Sequence, residues 1–130
     1  MLYYFYVKTK EHSEIVDITE LVNEKIRESG VNNGLCTVFT PHTTAAITVN
    51  ENSDSDVLQD MINSLEATIP WEKDYSHLGG NAAAHIKSSV IGCSAHLIVS
   101  SGRALLGIWQ AIYLCEFDGG RNRKIYINVI

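Results

Sequence analysis

Histidines carry the clearest candidate chemistry in this sequence. His42 lies between two apolar segments, His77 precedes a helical segment, and His85 lies within it. Asn81 and His85 are four residues apart, so on a helix both side chains point the same way. Neutral imidazoles bind metal ions such as Zn²⁺ or serve as general acid and base near neutral pH. The spacing allows a shared metal or acid–base site, and it equally allows histidines with purely structural roles.

A second group of residues is suited to anions. Gly80 and Asn81 open the predicted third helix, where free N–H groups and the helix dipole favour phosphate; Asn81 is equally suited to cap that helix. Arg121 and Arg123 alternate on the predicted last strand, so both guanidinium groups would lie on one face and grip phosphate oxygens. A charged strand of this kind also discourages edge pairing. Both interpretations stay open from the residues alone.

Acidic and amide side chains complete the candidates. Glu51 and Asp54 have the carboxylate oxygens that Mg²⁺ prefers, and their spacing is also that of a solvated helix start. Gln110 interrupts an apolar strand, where a buried amide must find hydrogen-bond partners. We therefore expect Gln110 to be either a structural cross-link or a site residue.

Composition narrows the function classes. The 130 residues contain 10 Lys and Arg and 15 Asp and Glu, and the net charge of −5 is the wrong sign for a protein that grips nucleic acid. No stretch approaches a membrane span. The first ten residues lack the order of a signal peptide, so we expect a cytoplasmic protein. Three scattered cysteines predict reduced thiols in the core.

Hydrophobic periodicity predicts one α+β domain over 1–130, in the order strands, helix, strands, two helices, strands. Helices are predicted at 18–29, from the cap-forming cluster 52–56 to Pro70, and at 81–90. Strands are predicted at 2–9, 14–17, 35–40, 44–50, 94–100, 103–117 and 121–129, and the last three form a meander of two hairpins. Asp17 is predicted to cap the first helix.

The predicted strand 103–117 is apolar on both faces between 104 and 115. Such a strand is buried on both sides. A chain of this length barely covers both faces of a long sheet, so we expect a second copy to cover one of them. This argument favours a homo-oligomer.

Four blocks of the sequence resemble the YjbQ family, also described as secondary thiamine-phosphate synthase. They are PHTTAA at 41–46, VNENSDSDV at 49–57, GNAAAHIKSS at 80–89 and GIWQAIYLCEFDG at 107–119. Ile108 stands where the family usually has Thr, and Ser55 where Pro is common. Neither departure removes a candidate ligand. The resemblance extends through nearly the whole chain.

The resemblance implies a β-sandwich-like domain that packs as a homotrimer, with a histidine-containing polar pocket near the subunit boundary. It implies joining of a pyrimidine diphosphate to a thiazole monophosphate with release of pyrophosphate, which requires a metal ion or cationic groups where charge develops. It favours His42, His77 and His85 as ligands of a divalent ion, Zn or Mg, or as catalytic groups beside Gln110. The expected phosphate contacts are Thr43, Gly80, Asn81, Arg121 and Arg123, and Glu51 and Asp54 would hold a second ion.

Two other functions remain open at this point. The same histidines could activate water in a metal-dependent phosphohydrolase. A trimeric module that binds a small anion without catalysis would use the same pocket.

Overall fold

The computed structural model describes residues 1–130 as an α+β fold with three helices and two antiparallel sheets. The elements are β1 Leu2–Lys8, β2 Glu14–Asp17, α1 Thr19–Ser29, β3 Gly34–Phe39, β4 Ala45–Glu51, α2 Ser55–Thr68, α3 Ala82–Ile91, β5 Ser94–Ser100, β6 Arg103–Ala104, β7 Gln110–Glu116 and β8 Asn122–Val129. The first sheet has the order β1-β8-β3-β5-β6 and the second β2-β7-β4. The predicted number and order of helices are confirmed.

Local signals set the helix ends. The side chain of Asp17 accepts a hydrogen bond from Thr19 N at 2.9 Å, one residue outside the position of a standard cap. Gly30 ends α1 with a φ of 73°, a conformation that glycine adopts without steric cost. Asp54 caps α2 by accepting from Asp56 N at 2.9 Å. Neither α1 nor α2, nor the shorter α3, is long and apolar enough to cross a membrane.

The core consists of two apolar clusters on either side of the second sheet. The larger one takes Ile112 and Leu114 of β7 together with side chains of the first sheet and of α1. The smaller one contains Cys115 of β7, packed with Ala84 of α3 and Phe117. Successive residues of β7 point to opposite faces, so this strand is buried on both sides by its own chain. No second copy is needed to cover it.

The predicted strand 103–117 is interrupted, which corrects the sequence analysis. β6 ends at Ala104 in the first sheet, and β7 begins at Gln110 in the second. A turn between them brings Gln110 N to Gly107 O at 3.0 Å. β7 and β8 also lie in different sheets, so the last strands do not form the predicted meander; only β5 and β6 pair as a hairpin. A change of sheet leaves the apolar pattern intact, which is why periodicity missed it.

Candidate functional site

A polar cavity of about 500 Å³ lies between the β3–β4 connection and one face of α3. It is lined by His42, Thr43, His85, Ser88, Ser89, Gly92 and Cys93. The residues from α3 recur at helical spacings of three and four, so they form one stripe along that helix. Every polar side chain in the lining is an imidazole, a hydroxyl or a thiol, and none is a carboxylate. The hydroxyls of Ser88 and Ser89 already donate to backbone oxygens. The Thr43 hydroxyl and the imidazoles are left to donate to a ligand that accepts hydrogen bonds.

His42 is held by a backbone hydrogen bond. Its Nε2 accepts from Lys124 N on β8 at 2.8 Å. β3 pairs with β8 only as far as the Phe39–Tyr126 pair, so Lys124 lies just beyond the point where β3 leaves the sheet. β3 no longer offers a hydrogen-bond acceptor to Lys124 N at this point, and the imidazole of His42 accepts in its place. The turn at 40–43 is therefore tied to the sheet through a side chain.

The surroundings of His42 favour its neutral form. Burial is the largest cause that lowers the pKa of His42 below 6.5, and the positive charges of Arg123 and Arg121 lower it further. The carboxylate of Glu116 acts in the opposite direction and is outweighed. A neutral ring whose Nε2 accepts a hydrogen bond carries its proton on Nδ1.

His77 and His85 are also neighbours. Their ring centroids lie 5.3 Å apart with the planes nearly perpendicular. A Cβ at position 79 would lie 2.6 Å from Nε2 of His77, so Gly79 lets this ring approach the backbone closely. The three histidines are therefore connected through His85. His77 contacts His85, and His85 lines the same cavity as His42.

Asn81 links the beginning of α3 to the β7–β8 loop. Its Nδ2 donates to Asp118 Oδ2 at 3.0 Å, and its side chain makes no capping hydrogen bond. Asp118 also accepts from Arg121 Nη2 at 2.9 Å. Burial raises the pKa of Asp118, but hydrogen bonds from Asn81 and Arg121 outweigh it, and the net pKa is lowered. Gly80, just before Asn81, is exposed and does not line the cavity.

Arg123 lies in the interior, where its guanidinium group donates to other side chains. It is buried on the central strand β8, whereas Arg121 lies before that strand and is exposed, so the two do not share a face. Arg123 Nε donates to Glu116 Oε1 at 2.8 Å, and its Nη2 donates to Glu116 Oε2 and Thr44 Oγ1. Because β8 is central, the edge-protection interpretation does not apply to Arg123 either.

Glu51, Asp54 and Gln110 are not brought together with the histidines. Glu51 Oε1 accepts from Ser53 Oγ at 2.8 Å, and Asp54 caps α2. Gln110 is exposed, not buried as predicted, and its Oε1 accepts from Gly107 N at 2.8 Å. All three side chains are satisfied by neighbours in the sequence.

The three histidines do not fit a metal ion as a set within one chain. No group of three or more His, Cys, Asp and Glu side chains is arranged to hold one. The Nε2 lone pair of His42 already accepts from Lys124 N, so this atom has no lone pair for a metal. The predicted divalent metal therefore stays a prediction.

Three cavity residues escaped the sequence analysis. Ser88 and Ser89 follow His85 by three and four residues, and this spacing would have placed them on the histidine's face of α3. Cys93 was predicted to lie in the core and is exposed in the cavity lining. Cys36 and Cys115 are buried as predicted, and burial raises their pKa values to about 11 and about 12.

Fold and site together define an α+β protein with a histidine-lined polar cavity. A family model described as UPF0047 protein YjbQ-like matches residues 3–130. The chain is 47% identical to the UPF0047 protein YugU of Bacillus subtilis over 131 residues, which covers 100% of this chain and 99% of the relative. The chain belongs to the YjbQ/UPF0047 family.

Solved structures of similar proteins share the fold. An uncharacterised YjbQ/UPF0047 protein of Clostridium acetobutylicum superposes with a TM-score of 0.96 at 45% identity, covering 98% of this chain and 99% of that one. A hypothetical protein of Aeropyrum pernix superposes with a TM-score of 0.95 at 33% identity, covering 100% and 98%. These proteins establish the architecture, and their names assign no reaction.

Proposed function

We propose that the protein is a transferase that joins a pyrimidine diphosphate to a thiazole monophosphate and releases pyrophosphate. One observation carries the proposal: the cavity lining offers hydroxyl, imidazole and thiol groups and contains no carboxylate, although the chain as a whole has a net charge of −5. An acidic protein that keeps carboxylates away from a polar cavity has an electrostatic environment suited to phosphate groups. The family resemblance supplies the particular substrates.

In the proposed reaction, the residues around the cavity donate hydrogen bonds, supply positive charge or transfer a proton. The hydroxyl group of Thr43 donates a hydrogen bond to a phosphoryl oxygen, whereas the hydroxyl of Ser89 already donates to His85 O at 3.1 Å. Arg121 supplies positive charge; its side chain is about half exposed, and its charge acts on His42. Preorganised donors and charge of this kind stabilise a departing pyrophosphate. His85 is positioned for proton transfer, since its ring lies in the cavity wall beside His77.

A direct assay tests the reaction. Purified protein is incubated with both precursors, with and without Mg²⁺ or Zn²⁺, and both the joined product and pyrophosphate are measured. We expect product in the wild type and a loss of about 100-fold or more in His85→Ala, the usual range for an acid–base group. His96→Ala is the matched control, because His96 lies on β5 and outside the cavity lining. The molar mass of this control variant is compared with that of the wild type, since His96 is exposed on the same face of β5 as Ile98.

The other candidate functions are distinct outcomes of this assay. Phosphate release in the absence of the thiazole partner would indicate a phosphohydrolase. Binding of pyrophosphate without turnover of either precursor would indicate a non-catalytic module. Either result would contradict the transferase.

We also propose that the chain forms a homotrimer through the outer face of its first sheet. Large apolar side chains stand exposed there, among them Tyr4, Tyr6, Leu35 and Ile98, each more than half exposed. Exposed large apolar side chains on one sheet face are typical of an interface. The proposed assembly therefore rests on this exposed face of the first sheet and not on residues 104–115, which are buried by their own chain.

Two further parts of the proposal concern packing and location. The core shared by the two sheets supports sandwich-like packing. The free cysteines are consistent with a cytoplasmic protein.

A further inference from the structure

The chemistry open to His42 depends on which ring nitrogen is free. Nε2 lies 2.8 Å from Lys124 N and accepts its proton. A backbone N–H cannot reverse its role, because it is always a donor. Protonation of Nε2, or its coordination by a metal, would therefore place a competing positive centre against this N–H.

The β8 strand holds the turn that carries His42 at two points. Lys124 N binds the ring of His42, and Arg123 Nη2 donates to Thr44 Oγ1 at 2.8 Å and to Thr44 O at 3.2 Å. Both anchors come from adjacent residues of a central strand. The ring cannot turn its Nε2 into the cavity without losing the first anchor and leaving the Lys124 N–H unpaired.

We infer that His42 is a hydrogen-bond donor of fixed tautomer, which uses Nδ1–H to bind an oxygen of an anionic ligand in the cavity and does not coordinate a metal through Nε2. The inference rests on the proposed function in taking a phosphoryl oxygen as the acceptor. The lowered pKa of His42 agrees with a ring that stays neutral. A neutral, pre-oriented donor stabilises an anion without repelling nearby Arg121.

Nuclear magnetic resonance on the wild-type protein tests the tautomer. Long-range proton–nitrogen correlations of the imidazole rings at pH 7 distinguish the two neutral forms. We expect His42 to carry its proton on Nδ1 and to keep that pattern when Zn²⁺ is added. An Nε2–H tautomer, or a Zn²⁺-induced shift of the His42 Nε2 signal, would overturn the inference.

Two substitutions separate the two ring nitrogens. Gln at position 42 offers an amide oxygen near the place of Nε2 and preserves the acceptor for Lys124 N, but it has no donor at the place of Nδ1. Asn offers an amide N–H near the place of Nδ1 and leaves Lys124 N unpaired. We expect His42→Gln to bind inorganic pyrophosphate about tenfold or more weakly, since hydrogen bonds to charged groups are among the strong ones. We expect His42→Asn, which keeps this donor, to bind pyrophosphate more tightly than His42→Gln, and to unfold at a lower temperature than His42→Gln because Lys124 N is left unpaired.

The results discriminate between this inference and the proposed function. Wild-type affinity in His42→Gln would overturn the donor role and leave the transferase proposal standing. Failure of the wild type to bind pyrophosphate would count against the proposed function, and the tautomer measurement would then decide the inference alone. Thermal unfolding of both variants verifies that they are folded before binding is measured.

Discussion

Lys87 and Glu66 join α3 to α2 through an ion pair with one buried partner. Lys87 Nζ lies 2.5 Å from Glu66 Oε2, and the side chain of Lys87 is 1% exposed whereas that of Glu66 is 45% exposed. The hydrogen bond from Lys87 is the largest cause that lowers the pKa of Glu66. Because α3 carries His85, Ser88 and Ser89, this pair helps to hold one wall of the cavity in place.

The asymmetry of this pair predicts unequal effects of removing its members. Glu66→Ala leaves a buried ammonium without its partner and should lower the free energy of unfolding by about 2 kcal/mol. Lys87→Met keeps the packing of the side chain and leaves only a hydrated carboxylate, so we expect a loss below about 1 kcal/mol. Urea denaturation of both variants measures the difference. Equal losses would show that the buried position of Lys87 does not control the energetics.

Breaking the Glu116–Arg123 pair should lower the free energy of unfolding more than breaking the Lys87–Glu66 pair. Both side chains are almost completely buried, so Arg123→Met leaves an uncompensated carboxylate in the interior. We expect the free energy of unfolding to fall by about 3 to 5 kcal/mol. The exposed pair of Arg103 and Glu20 provides a control, for which Arg103→Ala should cost less than about 1 kcal/mol. A small effect at both positions would contradict the structural role given to Arg123.

Acid should destabilise the protein partly through Glu116. Burial raises the pKa of this carboxyl, but hydrogen bonds from Arg123 and Thr9 outweigh burial, and the net pKa in the folded state lies below 4.5. The ionised form therefore stabilises the fold above pH 4.5, and that contribution is lost as the pH falls through the lowered value. Unfolding measured from pH 7 to pH 3 should show a steeper decline for the wild type than for Glu116→Gln. Parallel curves would exclude this contribution.

Asp17 should contribute to α1 without contributing to function. Its carboxylate accepts from Thr19 N at the first turn, so Asp17→Ala removes a partner for an N–H group at the end of the helix. We expect a loss of about 1 kcal/mol in the free energy of unfolding, with transferase activity unchanged. Protein concentration is held constant in the denaturant series because assembly adds to apparent stability. An unchanged midpoint would contradict the assignment.

The proposed trimer makes a prediction about one exposed side chain. Ile98 lies on the outer face of the first sheet, and Ile98→Asp places a charge there, which should shift the molar mass from about three chains towards one. Light scattering at micromolar concentration measures it. Val90→Asp, at an exposed apolar position on α3 away from that sheet, should leave the mass unchanged. A monomeric wild type would reject the trimer.

Local sequence was sufficient for the elements whose signals lie within a few residues. The capping cluster before α2 and the glycine after α1 predicted helix ends that the structure confirms within one or two residues. These signals operate through hydrogen bonds and backbone conformations that are complete inside one turn of helix. The strands up to β5 follow for a similar reason, since the alternation of side chains is a local property.

Tertiary structure alone decided where the chain changes sheets and what each polar side chain meets. Residues 103–117 alternate like a continuous strand, yet β6 pairs with the adjacent β5 in the first sheet, whereas β7 pairs with the distant β2 and β4 in the second. Arg123 pairs with Glu116 in the interior because the two strands that carry them face a common core, and Gln110 is exposed because its strand begins there. The same applies to His42. Its position between two strands was predicted from the sequence, but its hydrogen bond from Lys124 was not, because the two residues are 82 positions apart. A residue's type limits the bonds that it can make, and only the packed chain determines which partner lies within reach.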